Sequence, residues 1–332
     1  MKFEQIISDL KNKIYHPVYF LSGEEPYYID VISDFISANV LDDSEKEFNQ
    51  SVVYGKEMDV SAIVGMAKRY PMMSDYQVVI VKEAQTISKI EEFEPYFEKP
   101  LKSTILVLCY KYKTLDKRKK IAKTIEKNAV LFESSKLYED KIPDWISTYL
   151  RNLNYKINPV ATQLLAEFLG NDLTKIVNEI SKLVINLPEH TEITVDHIEQ
   201  NIGISKDFNV FELQNALGKK DVLKANQIVN YFASNSKDNP IVMVISLLYS
   251  YFSKLLIYQS IPDKSQNNVA SILGIKPFFV SNYANTARNY PISKLRSIIS
   301  LLREYDAKAK GIDSSDIPDG ELLKELIYKI LH

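Results

Sequence analysis

The sequence predicts an α/β domain with a parallel sheet, followed by an all-helical region. Three observations lead there. Short, nearly all-apolar runs recur up to Ser134, the segments between them carry apolar residues at helical spacing, and beyond Ser134 the β-branched runs stop. With 332 residues, 45% hydrophobic and 25% charged, the chain has the composition of a folded protein large enough for two or three domains.

Taken in order, "PVYFLSG" (17–23) is a short apolar strand closed by glycine, and residues 27–39 have helical spacing. "FNQSVVYGKE" (48–57) reads as a second strand; Asp59 is placed to cap a helix through "VSAIVGMAKR" (60–69), and Pro71 stops it. "YQVVIVKEA" (76–84) is a β-branched strand, a helix through Phe97 follows, and "STILVLCY" (103–110) is the next buried strand. "KTLDKRKKIAKTIEKN" (113–128) reads as a helix and "AVLFES" (129–134) as the last strand. Strands that are apolar throughout, rather than alternating, belong to a parallel sheet covered on both faces. Beyond it, "KIPDWISTYLRNL", "NPVATQLLAEFLGNDLTKIVNEISKLVINL" and "TVDHIEQNI" form a small helical unit, and from Phe208 onward only helical patterns remain. The predicted domains are therefore 1–139, 140–207 and 208–332.

Composition excludes several function classes. A net charge of −2 provides no global field for nucleic acid, so any DNA contact is local or shared. Cys109 is the only cysteine and lies in an apolar run, which rules out a disulfide framework and a thiolate zinc site. His16, His190, His197 and His332 are far apart and lack companions at metal spacing, so no metal site and no cofactor are expected. The N-terminus lacks the apolar core of a signal peptide, and "IVMVISLLYSYFSKLLIYQ" from Ile241, interrupted by Lys254 and hydroxyls, reads as a bundle helix. A cytoplasmic location is expected.

The strand, turn and helix around Gly23 form the scaffold of a P-loop without its chemistry. Starting G-x-x-x-x-G-K-[ST] at Gly23 puts Tyr28, Ile29 and Asp30 in place of glycine, lysine and hydroxyl. Tyr28 blocks close backbone approach, Ile29 neutralises nothing, and Asp30 repels phosphate. On the strand "VVIVKEAQ", Lys82 and Glu83 stand where a nucleotide-hydrolysing fold carries the Asp-Glu that holds magnesium and orients water. The strand "TILVLCY" ends at Cys109 and Tyr110 with no polar group for a γ-phosphate. Each segment alone reads far better as plain structure, but the three in order read as a dismantled nucleotide site. The basic run Lys117, Arg118, Lys119, Lys120 is a candidate DNA contact, although a solvated helix face diluted by nearby acids accounts for it better. No hydrolase, zincin or paired-cysteine motif is present.

The stretches "PVYFLSGEEPYYID", "YPMMSDYQVVIVKEA", "LDKRKKIAKTIEKNAVLFE", "GNDLTKIVNEISKLVI", "ITVDHIEQNIGISKDFNVFELQNALGKKD" and "REYDAKAKGIDSSDIPDGELLKELIYKIL" resemble, in order, the delta subunit of the bacterial DNA polymerase III clamp loader. The resemblance implies an AAA-type α/β domain, a small helical lid and a helical collar that joins subunits in a ring. It implies a non-catalytic member of the polymerase complex that binds the sliding clamp and opens it for loading onto primed DNA. Its partners would be the clamp, the other loader subunits and primer-template DNA, with no membrane. It assigns clamp binding to the turn at Pro71, Met72 and Met73, where the family often has phenylalanine or leucine. Two rival readings are an AAA-type ATPase with an unusual nucleotide site, tested by nucleotide binding, and a sequence-independent DNA-binding module, tested by steep salt dependence.

Overall fold

Five of the apolar runs lie side by side as a parallel sheet in the computed structural model, which describes residues 1–205, 208–312 and 317–332. The chain divides into two units, Met1–Leu137 and Tyr138–His332. The first contains α1 (Phe3–Lys11), β1 (Val18–Gly23), α2 (Pro26–Asn39), α3 (Asp43–Asn49), β2 (Gln50–Tyr54), α4 (Val60–Ala67), β3 (Gln77–Lys82), α5 (Glu94–Glu98), β4 (Thr104–Lys111), α6 (Lys120–Asn128) and β5 (Val130–Ser134). The strand order is β2-β3-β4-β1-β5, every pairing parallel. This is the AAA-type α/β arrangement that the resemblance implies.

Alternate residues of each central strand supply the two faces, because side chains along a strand point to opposite sides. Val18, Phe20, Val79, Val81, Leu106 and Leu108 pack with α4, α5 and α6 on one face. Tyr19, Leu21, Val78, Ile80, Val107 and Cys109 pack with α1 and α2 on the other. Local chemistry sets the helix ends: Asp59 accepts from the Ala62 N–H at 2.8 Å and caps α4, as the sequence predicts.

Three details differ from the sequence reading. The segment 113–119 is not helical, and α6 starts only at Lys120. Asp116 folds the chain into a turn, its carboxylate accepting from the Arg118 N–H and its carbonyl from the Lys119 N–H, both at 3.0 Å. Cations also oppose the positive end of the helix dipole, so the basic run is poorly suited to a first helical turn. Phe48 and Asn49 end a helix rather than start a strand. The stretch before Phe97 is two 3-10 turns and the short α5.

The second unit contains α7 (Ile142–Asn152), β6 (Lys156–Ile157), α8 (Pro159–Leu169), α9 (Leu173–Ile185), β7 (Glu192–Ile193) and α10 (Val195–Ile202). It continues with α11 (Val210–Lys219), α12 (Val222–Ser234), α13 (Ile241–Ser260), α14 (Gln266–Leu273), α15 (Val280–Asn289), α16 (Ile292–Ala309) and α17 (Asp319–Leu331). The two-residue strands β6 and β7 pair in parallel, and segments so short leave no periodicity in the sequence. From Val210 onward the helices share one apolar core that ends at Leu331. By length and composition alone α13 is apolar enough to cross a membrane. Its face of Val244, Ile245, Leu248, Phe252 and Leu255 is nevertheless buried in that core.

Candidate functional site

At the end of β1, the glycine closes a tight corner of the sheet. Gly23 has φ +129°, and a Cβ there would sit 2.0 Å from the Ser134 carbonyl oxygen. Its N–H donates to the Lys113 carbonyl at 2.9 Å, and the Glu24 N–H donates to the Ser134 carbonyl at 3.1 Å. The Ser134 hydroxyl donates to the Glu25 carbonyl at 2.8 Å, closing the same corner. Backbone N–H groups that would cradle a phosphate are thus already committed. The N-terminus of α2 is also occupied by an anion of the chain's own: Glu25, 3% exposed, accepts from the Tyr27 N–H at 3.1 Å, and Pro26 removes another donor.

The three P-loop positions in the predicted frame point elsewhere. Ile29 is fully buried against the sheet with Ile32 and Ile36. Tyr28 is half-buried, its ring 4.8 Å from that of Phe3. Only Asp30 faces the crevice, where Lys111 Nζ lies 2.8 Å from its Oδ1 and 2.9 Å from its Oδ2.

The strand ends complete an ion network there. Lys82 donates to Asp34 Oδ1 at 2.9 Å and to the Ser33 hydroxyl at 2.8 Å, with Asp30 at 3.9 Å. Lys111 also lies 3.9 Å from Glu83, which caps β3 in the left-handed region at φ +53°. Burial alone would lower the Lys111 pKa, but its hydrogen bond to Asp30 and the charges of Asp30 and Glu83 outweigh this and raise it. Beneath the network the buried Cys109 thiol is pushed up to about 11, chiefly by desolvation, so it stays protonated and inert near neutrality. Two ammonium groups already satisfied by three carboxylates are a lock between α2 and the ends of β3 and β4. Among the described residues no group of three His, Cys, Asp or Glu side chains is arranged to hold a metal ion.

On the turn from α4 to β3, Met72 is 63% exposed and Met73 102%, with Met73 in the left-handed region at φ +52°. Pro71, half-buried, precedes them. The turn is nonetheless anchored. Asn49 Oδ1 accepts from the Met72 N–H at 2.6 Å, and its Nδ2 donates to the Met72 carbonyl at 2.9 Å. At the far end, Gln77 Nε2 donates to the Met66 carbonyl at 2.6 Å, tying the start of β3 to the end of α4.

Each cation of the basic run has an acid partner. Lys117 lies 2.7 Å from Glu133, Arg118 2.9 Å from Asp116, Lys119 2.5 Å from Glu91 and Lys120 2.6 Å from Glu94. Those side chains are exposed, so the pairs add little stability. Of the histidines, His16 lies 3.8 Å from Asp9, and His197 Nδ1 accepts from the Thr194 N–H in a capping box at the start of α10.

Two family models match this chain. One described as DNA polymerase III, delta subunit, covers residues 19–135; the other, described as the C-terminal domain of that subunit, covers 207–327. The chain belongs to the DNA polymerase III delta-subunit family. It is 29% identical over 329 residues to DNA polymerase III subunit delta of Bacillus subtilis, covering 96% of this chain and 93% of that one. A probable DNA polymerase III subunit delta of Aquifex aeolicus is 23% identical over 181 residues, covering 53% of this chain and 51% of the relative. The solved Bacillus subtilis DNA clamp loader delta protein superposes with a TM-score of 0.56 at 25% identity, covering 99% of both chains.

In this delta subunit of the clamp loader, Lys111 and Glu25 fill the space around the replaced nucleotide positions and Asn49 anchors the Met72 turn, and the sequence reading names none of the three. The sequence reading ends the strand at Tyr110, whereas the β4 ladder continues through Lys111 opposite Gly23. Glu25 was legible as a helix-capping carboxylate just before Pro26. Asn49 was not legible, since its partner is 23 residues away and no local pattern links them.

Proposed function

We propose that this chain is the loader subunit that grips the sliding clamp and opens it for loading onto primed DNA, without turning over nucleotide itself. The reading rests on the exposed pair Met72 and Met73, held out on an anchored turn. Two adjacent flexible thioethers offer what an apolar pocket on a partner can bury, and buried apolar anchors carry most of the affinity in such contacts. A non-catalytic role is supported by the committed N–H groups at Gly23 and Glu24, by Glu25 at the helix N-terminus and by Lys82 in the metal-ligand position. No cofactor is needed for gripping. We assign residues 140–207 to a lid and 208–332 to a collar that joins the other loader subunits in a ring around primer-template DNA in the cytoplasm. A continuous core drawn only from Val210 to Leu331 supports that boundary. A DNA contact at Lys117, Arg118, Lys119 and Lys120 would have to displace their acid partners.

The test is the double change Met72→Ala with Met73→Ala. Affinity for the cognate clamp is expected to fall by ~100-fold or more, about 2 kcal/mol for each anchor, with the melting temperature almost unmoved. Undiminished clamp affinity in the folded variant would remove the turn from the interface.

A further inference from the structure

We infer that Asn49 is the positioning residue of the clamp-gripping turn, holding Met72 and Met73 in their binding geometry before the clamp arrives. The inference rests on the reading of that turn given above. Asn49 is 2% exposed, so its side chain is sealed from any partner, yet its carboxamide spans both backbone polar groups of Met72. Its second amide proton is used as well, donating to the Glu45 carbonyl at 3.2 Å in the last turn of α3. Two carbonyls on the nitrogen side and one N–H on the oxygen side fix the orientation of the amide, and a flipped amide would face like against like.

The consequence falls on the neighbour. Met73 occupies the left-handed region, which a non-glycine residue keeps only where its surroundings impose it. With Met72 clamped on both backbone groups and Pro71 fixing φ on its other side, the turn has little freedom to swing the thioethers back toward the sheet. Other side chains cannot do the same. Aspartate offers acceptors but no donor for the Met72 carbonyl, glutamine is one methylene too long, and alanine leaves two backbone groups without partners. Ordering a loop in advance removes a cost that binding would otherwise bear.

The experiment uses the full chain carrying Asn49→Ala or Asn49→Asp, each alone and combined with Met72→Ala and Met73→Ala. Clamp affinity, melting temperature and hydrogen exchange of the Met72 amide are measured well below the melting transition. Asn49→Ala is expected to weaken clamp binding by about tenfold and to speed exchange at Met72, with no further loss of affinity where both methionines are already alanine. Asn49→Asp, which keeps the acceptor for the Met72 N–H, is expected to keep exchange slow and to fall between alanine and the parent in affinity; it also serves as the second variant if alanine compromises folding. An equal loss in both methionine backgrounds, or faster exchange at Met72 with unchanged affinity, overturns the role of Asn49 while leaving the turn in the interface. If the methionine changes alone cost no affinity, the reading of the turn fails first and takes the inference with it.

Discussion

Ile29 shows how a single position can look like a missing ligand and be a core residue. In the predicted frame it replaces the phosphate-binding lysine, which invites the idea that lysine would restore the site. Its side chain instead faces the sheet, fully buried beside Ile32 and Ile36. Ile29→Lys would push an ammonium into that apolar layer without a partner, so a loss of about 3 kcal/mol or more is expected in urea unfolding. Calorimetry with magnesium-ATP should detect no binding by the parent or the variant, because the Gly23 and Glu24 N–H groups remain committed. Tight, magnesium-dependent binding by either protein would contradict this account of the crevice.

Among the elements, α8 and α13 carry the sharpest electrostatic conflict. Glu167 on α8 accepts from Gln163 at 2.9 Å through Oε1, while its Oε2 is enclosed with no hydrogen-bond partner among the described residues. Desolvation pushes its pKa from 4.5 up to about 7, against the smaller opposing pulls of Gln163 and of Lys254 on α13. Lys254 is itself lowered, by desolvation first, despite the nearby charges of Glu167, Glu139 and Asp140. A carboxyl raised in the folded state contributes stability that is fully present below its unfolded value and lost as pH rises through the folded one. The window for Glu167 therefore runs from about 4.5 to about 7. Glu167→Gln should raise the melting temperature at pH 8 by a few degrees, change it little at pH 4, and flatten its decline between those values. Scanning calorimetry across that range checks it, and a variant with the parent's pH profile would count against the buried charge.

At the scale of the molecule, each unit is described by its own core: a two-faced parallel sheet in Met1–Leu137, and in Tyr138–His332 a bundle whose largest cluster begins at Val210. Leu223 and Tyr328 stay exposed on that bundle at 72% and 63%. A fragment of residues 208–332 is expected to fold alone and to bind the other loader subunits without the sheet domain, because its main apolar cluster is drawn from Val210 to Leu331. Circular dichroism and a pull-down with those subunits test this together. A folded fragment that captures none of them would move the ring contacts out of the collar.

Periodicity and local chemistry make most of the sheet and helices legible in the sequence. The apolar runs could only be strands covered on both sides, Asp59 could be read as a cap, and Tyr28 and Ile29 could be seen to lack the chemistry of a phosphate loop. The tertiary structure decided what those positions became. Only the strand order brings Lys82 and Lys111 to the same carboxylate of Asp30, and only the packing of α3 beside the α4–β3 turn sets Asn49 against Met72. The physical reason is range: a hydrophobic period is written within a dozen neighbouring residues, whereas a hydrogen bond or ion pair between elements depends on where the chain returns, which no local pattern encodes.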